Sequence, residues 1–148
     1  PWVMWVREKD GLKFNSVNDL QGKKVGVVRG YSYTPEFWDF IETHQNYDYA
    51  HEDEINFKKL NAGRVDLIPA ELGNGLYIVQ KLRLNGIIPL MSTPIKIDGL
   101  YVIFNKNNVQ RSLVDRFSKE LRQLKQESLY EQLYDEYFHF SGKPSAIR

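Results

Sequence analysis

Apolar and polar positions follow two rhythms along this chain. Pro1 to Arg7 (PWVMWVR) is a short apolar run closed by the polar Glu8-Lys9-Asp10-Gly11 turn, and it reads as a strand. Ser16 to Gly22 reads as a polar turn or a single helical turn. Lys24 to Arg29 (KVGVVR) is then a compact β-branched strand of the kind buried on both faces of a parallel sheet. Gly30 ends it. Thr34 followed by Pro35 predicts a helix start, with Thr as N-cap and Pro at the first helical position. Phe37, Phe40 and Ile41 share one face of that helix. Tyr47 to His51 is a further strand candidate, and Asp53 could cap a short helix that carries Ile55 and Leu60 and stops at Gly63. Val65 to Pro69 (VDLIP) predicts a strand. Glu71 to Leu84 predicts a helix, with Leu72, Leu76, Val79 and Leu82 at near-helical spacing and Gly73 and Gly75 weakening its first turn. Ile87 to Met91 predicts one more strand.

Beyond Met91 the pattern changes. Asp98-Gly99 is a turn signal, and Leu100 to Asn105 (LYVIFN) reads as a strand. Leu113, Phe117, Leu121 and Leu124 mark an amphipathic helix. Ser128, with Glu131 three residues later, forms a capping box that starts a second helix running to about Phe138. Strands alternate with helices from Lys24 to Met91, which predicts an α/β unit with a largely parallel sheet flanked by helices. The two final helices lie outside that alternation.

Composition narrows the function classes. A chain of 148 residues with 42% hydrophobic content can build one core, burying about 70% of its unfolded surface. Twenty Lys and Arg against nineteen Asp and Glu give a formal charge of +1, without the basic excess of a nucleic-acid binder. No stretch approaches the apolar length of a membrane span. With no cysteine, thiol nucleophiles, disulfides and thiolate metal sites are excluded. The chain opens on Pro1 without an initiator Met or a leader, so the expectation is a segment of a longer product.

Two turns could carry chemistry. At Gly30-Tyr31-Ser32-Tyr33-Thr34 a strand runs into a helix start, which leaves backbone N–H groups free at the positive end of a helix dipole. Gly30 would admit a close ligand, and the Ser32 and Thr34 hydroxyls add donors. A capped turn with no ligand fits the same residues. The spacing matches no phosphate loop and suits a small carboxylate better than a nucleotide. Glu71 falls near the carboxyl end of a parallel strand, the edge where open α/β sheets bind ligands. There it could pair with a ligand ammonium, or simply complement the helix dipole. Asp66 reads as a structural contact. His44, His51 and His139 have no metal-binding spacing, and His51-Glu52-Asp53-Glu54 reads as a solvated acidic loop. No G-x-S-x-G elbow or fixed Ser-His-Asp set is present, so nothing supports an enzyme. Trp2, Trp5, Trp38 and the Tyr130, Tyr134, Tyr137, Phe138 group read as packing residues.

Taken in order, these segments resemble the type II periplasmic solute-binding proteins, in the amino-acid-binding branch (bacterial extracellular solute-binding protein family 3). Val17-Asn18-Asp19-Leu20-Gln21-Gly22-Lys23-Lys24-Val25-Gly26-Val27 is similar to the start of that family's second lobe. Gly30-Tyr31-Ser32-Tyr33 stands where its ligand loop lies, and Leu60-Asn61-Ala62-Gly63-Arg64-Val65-Asp66 resembles its "L-x-x-G-R-x-D" run. Leu100 to Lys106 resembles the return strand, and Leu113 to Tyr137 the closing helices. The resemblance implies a hinge strand and linker over 1–16, a ligand-binding lobe over 17–97, and a return strand with C-terminal helices over 98–148. It also implies that Gly30, Tyr31, Ser32 and Tyr33 hold a ligand carboxylate and that Glu71 holds an ammonium. Tyr31 stands where a small hydroxylated residue is usual, and Glu71 where Asp is commoner.

The expected role is therefore binding of a small solute, an amino acid or a related amine/carboxylate. The chain would be the extracytoplasmic, periplasmic component of an ATP-driven uptake system, with a membrane permease as partner and no cofactor, metal or nucleic acid. The alternative is a ligand-sensing domain of a membrane signalling protein. The family's first lobe, which supplies an Arg and aromatic residues to the ligand, has no counterpart here. Weak or no solute binding by this chain alone is therefore expected, together with a homodimer or a domain-swapped terminal helix through apolar surfaces that the first lobe would cover.

Overall fold

The computed structural model describes residues 1–99 and 101–138, which fall into two compact units divided in sequence between Asp98 and Gly99. The first unit is built on a five-stranded sheet: β1 (Trp2–Arg7), β2 (Val25–Val28), β3 (Tyr47–Ala50), β4 (Leu67–Glu71) and β5 (Ile87–Leu90). The spatial order is β3-β2-β4-β1-β5. β2 pairs in parallel with β3 and β4, whereas β1 runs antiparallel between β4 and β5. Four strands thus share one direction, and their carboxyl ends form one edge.

Both faces of β1 are buried because helices cover the sheet on both sides. Val3 and Trp5 point to a core shared with Phe57, Leu60, Ile68 and Ile78. Met4 and Val6 point to the opposite core, with Val25, Val27, Phe37 and Ile41. Helices α2 (Asp53–Asn61) and α3 (Leu72–Lys81) supply the first, and α1 (Pro35–His44) the second. Before β2 the polar stretch forms a single 3₁₀ turn, Val17–Leu20, whose Ser16–Asp19 capping box satisfies its opening N–H groups. Thr34 caps α1 by accepting the Phe37 N–H at 3.3 Å, with Pro35 in the first turn, as its sequence requires.

Three expectations are corrected. β4 begins at Leu67 rather than Val65, because Asp66 turns aside to accept the Lys24 N–H at 2.8 Å and to meet Arg7 at 3.4 Å. Glu71 consequently ends the strand and caps α3 instead of opening the helix. The 51–54 run is a solvated loop only at His51 and Glu52: Asp53 is 6% exposed at the start of α2, and Glu54 is ion-paired to Lys58 and Lys81. Residues 101–105 form no strand, although their composition favours one. Leu100 lies outside the described residues. Tyr101, Val102 and Ile103 are exposed, and a β-branched run without a ladder partner has no hydrogen bonds to hold it extended.

The second unit contains α4 (Arg111–Leu124) and α5 (Ser128–Phe138), where the capping box and the apolar periodicity place them. Phe104 packs edge-on against Phe117, with centroids 5.4 Å apart. Leu113, Phe117, Leu129, Tyr130 and Leu133 remain exposed. His139 lies outside the described residues.

Candidate ligand site at the carboxyl edge of the sheet

Three adjacent parallel strands deliver the candidate residues to one edge. β2 leads into the 30–34 loop, β3 into Asp53, and β4 into Glu71. Gly30 adopts φ +84°, a left-handed conformation that turns the chain away from β2; an added Cβ there would meet open space, so backbone freedom is what the position needs. The Tyr31 N–H closes the turn on the Val28 carbonyl at 3.3 Å. Among the described residues, the N–H groups of Ser32, Tyr33 and Thr34 donate to no protein acceptor. They remain available to an oxygen of a ligand.

The predicted loop residues divide by orientation. The Tyr31 hydroxyl donates to Asp53 Oδ2 at 3.2 Å. Ser32 is exposed, and its carbonyl accepts Lys96 Nζ at 2.7 Å. Tyr33 is buried beneath the loop, where its hydroxyl accepts the Val28 N–H at 3.1 Å and its ring packs on Phe37 at 5.2 Å. Burial pushes the Tyr33 phenol far above its usual range, against a smaller opposing pull from the Val28 hydrogen bond. It therefore stays neutral and supports the loop from below.

Glu71 Oε2 accepts the Asn74 N–H at 2.8 Å, and Oε1 lies 4.0 Å from the Pro1 nitrogen. Asn74 Nδ2 in turn donates to Asp53 Oδ2 at 2.7 Å. The loop and Glu71 are thus joined through Asp53 and Asn74, two residues that the sequence reading did not assign to the site. Asp53 was visible there as a helix start and as part of an acidic run. Asn74 carried one signal, a polar residue between two glycines in the first turn of a helix. Burial raises the Asp53 pKa, as do Glu52 and Glu71, while the hydrogen bonds from Tyr31 and Asn74 lower it.

Two more residues border the loop. Trp2 stands edge-on to Tyr31 and Tyr33, at 5.6 and 5.7 Å. Lys96 Nζ lies over the Trp2 ring at 5.5 Å and pairs with Asp98 at 2.7 Å. An acid, free N–H donors, a lysine and an aromatic wall are the complement of a zwitterion. No group of three or more His, Cys, Asp or Glu that could hold a metal ion occurs among the described residues.

No family model and no curated protein matches the sequence. Solved structures do match, among them amino-acid-binding proteins and a substrate-binding domain of a putative amino acid ABC transporter. A structure described for glutathione import through GshT and the cystine ABC importer TcyBC of Streptococcus mutans aligns at TM-score 0.66 and 23% identity, over 98% of this chain and 61% of that one. A histidine kinase sensor domain with similarity to periplasmic binding proteins aligns at TM-score 0.58 and 19% identity, over 92% and 57%. Domain 2 from TmArgBP, a single domain, aligns at TM-score 0.51 and 20% identity, over 61% of this chain and 94% of its own. The fold is that of part of a type II periplasmic binding protein. The chain spans about three fifths of the length of the first solved structures it matches. These matches are binding and sensor domains rather than enzymes.

Proposed function

We propose that this chain is the second lobe of an extracytoplasmic clamp for an amino acid or related amine/carboxylate, serving an ATP-driven uptake system and its membrane permease. The observation that carries the reading is the convergence of the unpartnered 32–34 N–H groups and Glu71 at neighbouring strand ends, linked through Asp53 and Asn74. The loop N–H groups donate to the carboxylate, and the Glu71 carboxylate receives the ammonium. Ser32 faces the ligand, and Tyr33 holds the loop in shape. A lobe that supplies one wall of a clamp gains little from an ordered ligand, so affinity in this chain is weaker than micromolar. Calorimetric titration with a panel of amino acids tests this. Weak heats that disappear in Glu71→Ala support the reading; micromolar binding, or binding that survives Glu71→Ala, contradicts it.

The sensor-domain match supports a second reading, in which the same clamp reports to a membrane signalling protein. Among the described residues no helix is long and apolar enough to cross a membrane. The full-length sequence separates the two, since a sensor continues into a membrane span.

A further inference from the structure

One buried side chain ties three strand ends together. Asp53 Oδ2 accepts the Tyr31 hydroxyl at 3.2 Å from the loop after β2, and Asn74 Nδ2 at 2.7 Å from the first turn of α3. Asn74 then returns its backbone N–H to Glu71 at 2.8 Å. Asp53 itself is fixed at the start of α2, after β3, and is 6% exposed. We infer that Asp53 is a positioning residue of the ligand site: it sets the Tyr31 hydroxyl and the Asn74–Glu71 cap in place, and so governs affinity without touching the ligand. This rests on the reading of the site proposed above.

Burial and the neighbouring acids disfavour the ionised form of Asp53, and its two hydrogen bonds oppose them. A buried carboxylate is costly unless donors satisfy it, and two donors from different elements converge on one oxygen. Alanine here would leave both donors without their acceptor, whereas an asparagine carbonyl with two lone pairs could still take both. Freed from Asp53, the Tyr31 phenol can swing across the loop, and Asn74 loses the side-chain contact that orients its N–H toward Glu71. The charged groups facing Asp53 are Glu52 from its own turn and Glu71 from the end of β4, with the Tyr31 phenol opposite.

Carboxyl-detected NMR titration of the 148-residue chain, without ligand, tests the network. The Asp53 midpoint should lie above the ordinary aspartate range. Tyr31→Phe and Asn74→Ala should each raise it further by removing a hydrogen bond, and Glu71→Gln should lower it by removing a like charge. The Tyr31 ring and Asn74 side-chain amide signals should follow the same midpoint and lose that step in Asp53→Asn. A midpoint that none of the three partner variants moves, or signals unchanged in Asp53→Asn, overturns the inference; the partner variants decide it if Asp53→Asn does not fold. With L-arginine as probe, Asp53→Ala, which removes the shared acceptor, should weaken binding by about tenfold. Binding unchanged in Asp53→Ala contradicts the positioning role, whereas a wild-type chain that ignores the whole amino-acid panel contradicts the ligand reading and leaves the network to the titration.

Discussion

At Gly75 the backbone of α3 lies directly on the indole of Trp5. An added Cβ would fall inside van der Waals contact with the ring, and Trp5 is fully buried with no room to retreat. Gly75→Ala should therefore destabilise the chain by about 1–3 kcal/mol through overpacking, outweighing the roughly 1 kcal/mol that alanine gains in an exposed helix. Urea denaturation measures this, and an unchanged or raised midpoint contradicts it. Composition shows Gly73 and Gly75 only as weak points in a helix; the need for one of them comes from a tryptophan seventy residues earlier. Tyr31 and Tyr33 teach the same lesson. Both stand in one loop, yet one reaches the buried Asp53 carboxylate and the other plugs the core, a division that periodicity does not carry in a turn.

Among the elements, α2 and α3 are joined by Glu54, which pairs with Lys81 at 2.7 Å and with Lys58 at 2.9 Å. Hydrogen bonds from Lys81 and then Lys58 pull its carboxyl from the ordinary 4.5 to about 2. A carboxyl lowered by folding stabilises the native state above its unfolded pKa, and that contribution is lost as pH falls from 4.5 toward about 2. Because the pair is near the surface, the effect is modest and screened by salt. Urea midpoints across this range should fall less steeply in Glu54→Gln than in wild type; equal slopes contradict the link. Asp53 acts in the opposite direction, since its raised pKa disfavours the ionised form and removes stability as pH rises through it.

The elements themselves were largely legible. Apolar runs and caps located β1, β2, α1, α4 and α5, because each is marked by local chemistry. β4 slid by two residues because Asp66 is claimed by Arg7 and Lys24, partners more than forty positions away. Residues 101–105 read as a strand because propensity is local, whereas a strand exists only with a partner. In the site, the Gly30 turn and Glu71 were visible as strand ends, while Asp53 and Asn74 join it through contacts between elements distant in sequence.

At the scale of the molecule, the first unit has its own double-faced core, and the chain spans about three fifths of the solved proteins whose fold it shares. In the second unit, α4 and α5 leave Leu113, Phe117, Leu129, Tyr130 and Leu133 exposed. Apolar side chains presented this way favour self-association at high concentration. Sedimentation equilibrium should show dimers that Phe117→Ser weakens; a strict monomer contradicts that expectation.

The central claim is that the 32–34 N–H groups and Glu71 form one half of an amino-acid site. Amide NMR of the labelled chain, titrated with L-arginine, tests it most directly. The account predicts graded, weak-affinity shifts at the Ser32, Tyr33, Thr34 and Asn74 amides, all absent in Glu71→Ala. Shifts that fall elsewhere, or no shift at these amides with any amino acid, would contradict it.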